Sequence, residues 1–368
     1  VKAYPETHPL GDFIREQLPP VPAAIANGVL AVASIAALVT VTAIFLIWLE
    51  RKVCARFQAR LGPTRVGPFG VLQPIADALK LLLKENIRPR SVDALAYFLA
   101  PLLPITGSFL VLAVIPFDSN LQVVDPEAGM VYVAAVSGLG ILGVLIGGWG
   151  SNNKYSLLGS MRSGAQLFSY ELSMVLCMLL VVLAAGTGSL RDIVLSQQGS
   201  VFDWWIFKLP VAGLLAFLLF LVSSTAELNR GPLDLSEAEQ ELTGGFHTEY
   251  AGMSFSMFFL AEFVNMFAAA GLAATFFLGG FLAPQLPFAD ALPALIRPVN
   301  AALDFLPGWF WFGIKSYAVI FLYMWARWTF PRLRIDHLLA LEWKFLLPVS
   351  LANLLLAAGL VTFNAIIP

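Results

Sequence analysis

Charge is what this sequence has least of. Its 368 residues carry 22 Lys and Arg against 24 Asp and Glu, and charged residues make up 12% of the chain. A soluble domain would need a long polar stretch, and none exists. Histidine is almost as scarce: His8, His247 and His337 all lie outside the apolar runs. That excludes a haem-carrying membrane cytochrome, which needs histidines inside its helices. Cys54 and Cys177 stand 123 residues apart, one in a basic loop and one in an apolar run. No cysteine cluster of iron–sulfur spacing exists, and a disulfide is not expected. No glycine-rich phosphate loop follows a strand. The chain is therefore expected to hold no redox centre, nucleotide or metal of its own.

What is abundant is apolar sequence. Hydrophobic residues make up 58% of the chain, and mean hydropathy is +0.79. Both values belong to the membrane class. A spanning helix takes about 20 mostly apolar residues. Eight runs qualify, near 24–49, 94–116, 130–149, 164–185, 205–226, 254–282, 308–329 and 345–366. The first stands too far from the N-terminus for a secretory signal and is read as a retained span. Residues 1–22, rich in proline, read as an arm on the outer side, and 23–368 as one eight-span domain. The expected fold class is an all-α integral membrane protein with eight transmembrane helices plus a cytoplasmic-side amphipathic helix.

Lys and Arg set the orientation. With eight spans, sixteen basic residues fall on the side of the 51–90 loop and five on the other. Both termini are thus expected outside, and the 51–90 and 225–252 loops on the cytoplasmic or matrix side.

Trp48 anchors the end of the first run at an interface. In the segment that follows, ERKVCARFQARLGPTRVGPFG, Lys52, Arg56 and Arg60 recur every four residues and share a face if the helix continues. Positive-inside charge accounts for them; a docking surface or a guanidinium lining for a polar headgroup are the functional readings. Over 70–85, Gln73, Asp77, Lys80 and Lys84 form one stripe, with Val71, Leu72, Ile75, Leu79, Leu82 and Leu83 opposite. That is an interfacial amphipathic helix, a frame for a lipid-like substrate's entrance or a helix packed under the bundle.

Glu171 in the fourth run, Glu262 in the sixth and Lys315 in the seventh lie at membrane depth. An ionisable group there costs roughly 2.5–3.5 kcal/mol on insertion scales, so it faces the bundle interior and has a task. Pairing with another charge is the simpler account. The acidic loop, 227–251, holds Glu227, Asp234, Glu237, Glu239, Glu241 and Glu249 against one cation, Arg230. Ser236 and Glu239 fit a capping box, and acids in a first helical turn suit the dipole. That leaves Glu227, Glu241 and Glu249 unexplained. Clustered carboxylates raise one another's pKa, which suits proton traffic near neutrality. A metal site is disfavoured, because no histidine accompanies the acids at ligand spacing.

ERKVCARFQARLGPTRVGPFGVLQPIADALKLLLKE and AELNRGPLDLSEAEQELTGGFHTEY, with FPRLRID later, resemble the subunit-1 or H-subunit family of respiratory complex I, the type I NADH:quinone oxidoreductase. The resemblance runs from about residue 22 to the C-terminus. It departs at Leu233, where the family usually has Phe, and at Cys54, where it has a larger apolar residue. It implies a proton-pumping enzyme's membrane subunit, without a complete active site of its own. Arg51, Arg60, Asp77, Arg230 and Phe259 would lie along a quinone tunnel. Glu171, Glu227, Asp234, Glu237, Glu239, Glu241, Glu249 and Glu262, with Lys315, would form the proton path. Quinone would be the substrate, with NADH, FMN and iron–sulfur clusters on partner subunits. Soluble quinone-module subunits would dock on the 51–90 and 327–344 loops, and antiporter-like and small membrane subunits laterally, in a bacterial cytoplasmic or mitochondrial inner membrane. No nucleic acid is implied. The rival expectations are the related membrane subunit of a membrane-bound hydrogenase or formate-hydrogen lyase, a stand-alone proton-coupled carrier, and a purely structural anchor. Carriers show paired inverted repeats, and none is visible.

Overall fold

The computed structural model describes residues 20–234, 244–287 and 293–363. The arm at 1–19, the Ser236–Glu239 cap and the acids Glu237, Glu239 and Glu241 lie outside the described residues.

The described chain is helical, with a single isolated bridge between Asp118 and Leu121 in place of any strand. The long helices are α1 (Pro20–Phe57), α3 (Ala94–Val114), α4 (Gly129–Gly150), α5 (Lys154–Ala185), α8 (Ala212–Glu227), α9 (Gly252–Phe277), α11 (Gly308–Thr329) and α13 (Leu347–Thr362). Shorter ones are α2 (Gln73–Leu83), α6 (Leu190–Leu195), α7 (Trp205–Lys208), α10 (Pro293–Asp304) and α12 (Ile335–Leu341). A π-turn, Glu342–Leu346, joins α12 to α13.

Among the described residues, six stretches are long and apolar enough to cross a membrane, and seven if the pair Ile296–Asp304 and Gly308–Thr329, bent by 94°, is one span. The run at 205–226 does not form one helix. Pro210 lacks an amide proton, Val211 adopts φ 63°, and only Ala212–Glu227 continues. Its 16 residues fall short of the usual length. The connection before α11 contains α10, with Pro298 inside it.

α9 is the bundle's axis. Phe263 to Phe277 bury nearly every side chain, whichever way it points, as expected of a helix enclosed on all faces. α3, α11 and α1 pack around it. α5 joins α4, α8 and α13, and buries a serine-rich face with Ser156, Ser160, Ser163, Ser169 and Ser173. Small residues let helices approach closely where lipid offers no hydrophobic drive.

Within the 70–85 stretch, the helix α2 runs from Gln73 to Leu83. Its apolar stripe of Ile75, Leu79, Leu82 and Leu83 is exposed, while Asp77 turns towards α1 and bonds Arg51. The face that a soluble protein would bury is bare.

A charged cavity and an acid chamber

The large cavity begins where α1 ends. Cys54 was expected in a loop, but the helix runs on to Phe57 and buries it. Arg60 lies beyond the helix end, after Ala59 at φ 53°, so it does not share a face with Lys52 and Arg56. The chain then folds back under α1. Trp48 Nε1 donates to the Phe69 carbonyl at 3.2 Å. Gly70 adopts φ +75°, and a side chain there would come within 2.3 Å of the Pro63 carbonyl oxygen. Only glycine fits this turn.

The opposite wall is the turn after α8. Gln166 of α5 donates to the carbonyls of Ala226 at 2.8 Å and Leu233 at 2.7 Å, clamping both ends of the turn. The Leu333 amide donates to the Pro232 carbonyl at 3.1 Å, tying it to the segment after α11. Arg230 is thereby directed inward and is 4% exposed. Its Nη1 donates to both carboxylate oxygens of Glu50, each at 2.8 Å. Its Nε lies 2.9 Å from Glu262 Oε1. Its guanidinium sits 4.6 Å over the Phe263 ring. Arg327 also donates to Glu50. Two acids and two guanidiniums thus close a charge-balanced cluster, which is what makes their burial tolerable.

Around this cluster opens a cavity of about 660 Å³. Arg51, Arg60 and Gln73 line it from the α1–α2 side, Phe255 and Phe259 from α9, Arg327 and Trp328 from α11, and His247 from the turn before α9. Arg51 is paired with Asp77 at 2.5 Å. Among the described residues Arg60 meets no carboxylate; it bonds Gln58 at 2.7 Å and approaches Cys54 Sγ at 3.7 Å. Cationic and aromatic walls suit an uncharged ring bearing carbonyl oxygens.

Two smaller cavities continue into the bundle. One, of about 80 Å³, is lined by His247, Glu262, Glu227, Asn229, Asn265 and Ser137 among others. The next, of about 60 Å³, shares Glu227, Ser137 and Asn265 with it. Ser137 donates to Glu171 Oε1 at 2.5 Å, and Ser108 to Asn265 at 2.6 Å. Glu227 Oε2 is buried with no hydrogen-bond partner among the described residues. Glu262, Glu227 and Glu171 thus form one series running from the large cavity towards α4.

Other expected site residues lie apart. Asp234 pairs with Arg332 at 3.0 Å. Glu249 accepts from Asn153 at 2.6 Å, at the start of α5. Lys315 donates to the carbonyls of Gly280 and Leu282 at 3.0 and 2.7 Å and lies 4.2 Å over Trp204, beyond the far end of α9.

Three participants were not singled out from the sequence. Glu50 was passed over as a span end; a carboxylate placed among the basic residues of a helix end was the available signal. His247 was noted only for lying outside the spans. Glu342, in the π-turn between α12 and α13, is fully buried and accepts from Ser173.

The NADH dehydrogenase family model matches residues 29–358. The H-subunit of the NADH-quinone oxidoreductase of Bacteroides thetaiotaomicron is 48% identical over 330 residues, covering 90% of this chain and 89% of that protein. The H-subunit from Phocaeicola vulgatus is 48% identical over 324 residues, 88% of each. That of Brevibacillus brevis is 45% identical over 320 residues, 87% of this chain and 89% of the relative.

Proposed function

The chain belongs to the NADH dehydrogenase family, together with the H-subunits of the NADH-quinone oxidoreductases, and from that membership we propose that it is the membrane subunit through which quinone reduction is coupled to proton translocation. The observation that carries the reading is the continuity of the large charged cavity with the acid chamber through shared wall residues.

The large cavity receives the quinone headgroup. Phe255 and Phe259 supply apolar faces, and Arg60 offers donors to a carbonyl oxygen as negative charge builds on it. The exposed apolar stripe of α2 rests in the interface and frames the entrance, with the Arg51–Asp77 pair at its inner edge. Electrons come from an iron–sulfur cluster on a soluble partner docked on the 51–90 and 327–344 segments. FMN and NADH belong to that partner arm, and the antiporter-like and small membrane subunits flank the bundle.

Reduction of a quinone to its quinol consumes two protons with two electrons. Glu262, Glu227 and Glu171 carry the answering proton movement into the membrane, fed by the acidic loop that includes Glu237, Glu239 and Glu241; Asp234, Glu249 and Lys315 complete the path at its margins. α8 and the bent α10–α11 pair cross with the six other stretches, giving eight spans with both termini outside and the basic loops inside. The membrane is a bacterial cytoplasmic or mitochondrial inner one. The three relatives favour this reading over a hydrogenase subunit.

The test uses the native assembly. Mildly solubilised membranes should yield a large complex in which this chain migrates with NADH:quinone reductase activity sensitive to a quinone-site inhibitor. The double variant Glu237→Gln, Glu241→Gln in that complex should impair coupled turnover. Unchanged activity and unchanged pumping in the double variant would sink the acidic-path assignment.

A further inference from the structure

The large cavity and the acid chamber share a wall, and among the described residues two titratable side chains line both: Glu262 and His247. Glu262 holds an ion pair with Arg230 and begins the acid series described above. His247 stands on a short turn, Gly245–His247, immediately before α9. The turn is held in place from three directions. Gly245 adopts φ +59° and presses on α5 so closely that a side chain at Gly159 would come within 2.7 Å of the Gly245 Cα. Ser156 donates to the Phe246 carbonyl at 3.3 Å. Thr248 Oγ1 donates back to the Gly245 carbonyl at 2.6 Å. The imidazole is packed among rings, with its centroid 3.7 Å from Phe246, 5.4 Å from Phe255 and 5.3 Å from Phe258. It is a fixed part of the partition.

We propose that His247 is the proton relay between the acid chamber and the quinone cavity. This rests on the quinone reading of the large cavity. Imidazole takes a proton on one ring nitrogen and releases another from the second, so a ring set between two compartments passes a proton without crossing. A proton from the Glu227 carboxyl reaches one nitrogen, and the other nitrogen gives its proton to the oxygen of the reduced headgroup. Glu227 is left as the carboxylate, the quinone oxygen as the hydroxyl, and the imidazole as its other tautomer, which exchange of its ring protons with water resets before the next transfer. The chamber's 80 Å³ exceeds the roughly 10–15 Å³ that one water needs, so it has room for a water between Glu227 and the ring. The charged groups that line the two cavities with the ring are Glu227 from α8, Glu262 from α9, Arg230 from the turn after α8, Glu50, Arg51 and Arg60 from the α1 side, and Arg327 from α11. Within the cavity walls the guanidiniums of Arg230 and Arg327 are already tied to acids.

The test is steady-state NADH:quinone reduction by the assembled complex, with kcat and KM for a short-chain quinone measured across the neutral pH range. His247→Asn and His247→Gln keep a polar group of similar reach but cannot shuttle a proton. Both should assemble, hold KM within about twofold and lower kcat by about tenfold or more. The loss should deepen as pH rises and protons become scarce. Added imidazole should restore part of kcat to His247→Ala, whereas added pyrrole, which fills the same space without accepting a proton, should not. Wild-type kcat in the Asn and Gln variants, with Glu227→Gln impaired, overturns the relay and leaves the quinone reading standing. Wild-type behaviour in all three removes the acid path as well. A raised KM at unchanged kcat, or rescue by pyrrole equal to that by imidazole, makes His247 a packing residue and overturns the relay.

Discussion

Replacing Glu50 by glutamine is the perturbation that probes the architecture most directly. The substitution keeps the shape and removes one negative charge from a cluster in which Arg230 is 4% exposed and Glu50 is 8% exposed. Arg230 would keep Glu262, but Arg327 would lose its acid. Breaking a buried pair from one side costs about 3–5 kcal/mol, because the surviving charge is stranded. The retained Glu262 contact and the 28% exposure of the Arg327 side chain bring the expected cost to about 2–3 kcal/mol. The assay is the thermal midpoint of the solubilised complex, followed by the loss of co-migrating quinone reductase activity. Glu50→Gln should lower the midpoint. Adding Arg327→Gln in the same chain removes the stranded cation and should recover about half of the loss, a coupling of about 1 kcal/mol or more. Additive losses in the double variant would refute the charge-balance argument. A midpoint unchanged by Glu50→Gln would show that water reaches the cluster in the assembly.

Gly159→Ala tests the contact that sets the relay turn. A side-chain carbon 2.7 Å from the Gly245 Cα must push backbone aside, so an overpacking cost of about 1–3 kcal/mol is expected in the same thermal assay. Tyr250 offers a pH test. Its ring stacks 4.3 Å from that of Tyr97, and burial, the larger cause, together with Tyr97 pushes its hydroxyl above the ordinary value of 10.0. A raised folded-state value means that its contribution to stability is fully present below pH 10 and is lost as pH rises through that higher value. Tyr250→Phe should blunt the alkaline decline of the thermal midpoint, and an identical decline in variant and parent would show that Tyr250 is not its source.

Much of the arrangement is written in single stretches of sequence. Apolar run length marks where helices run, since a bilayer accepts no unsatisfied backbone. The alternation of Gln73, Asp77 and Lys80 with Ile75, Leu79 and Leu82 is enough to specify α2, because its two faces follow from a 3.6-residue period. The depth of Glu171 and Glu262 marks them as interior groups on cost alone. Pro210 shows why such reading stops short at 205–226: hydropathy averages over a break that one missing amide proton creates.

Partnership between distant segments has no local signature. Glu50 meets Arg230 across 180 residues and Arg327 across 277. The basic residues beside Glu50 flag it, but nothing in its neighbourhood says which cations it meets. Glu342 sits in a stretch with the composition of a surface turn, yet it is fully buried and bonded by Ser173 of α5. His247 gains meaning only because Gly245 and Gly159 let a turn rest on a helix, which puts one ring in the wall of two cavities. Sequence alone determined which stretches are apolar enough to cross a membrane, though not that 205–226 breaks, and which acids lie within them, because those follow from transfer free energy along the chain. Tertiary structure decided which acids share a chamber, which cations hold them and where a proton could cross, because burial and charge pairing depend on separations in space that the order of residues does not contain.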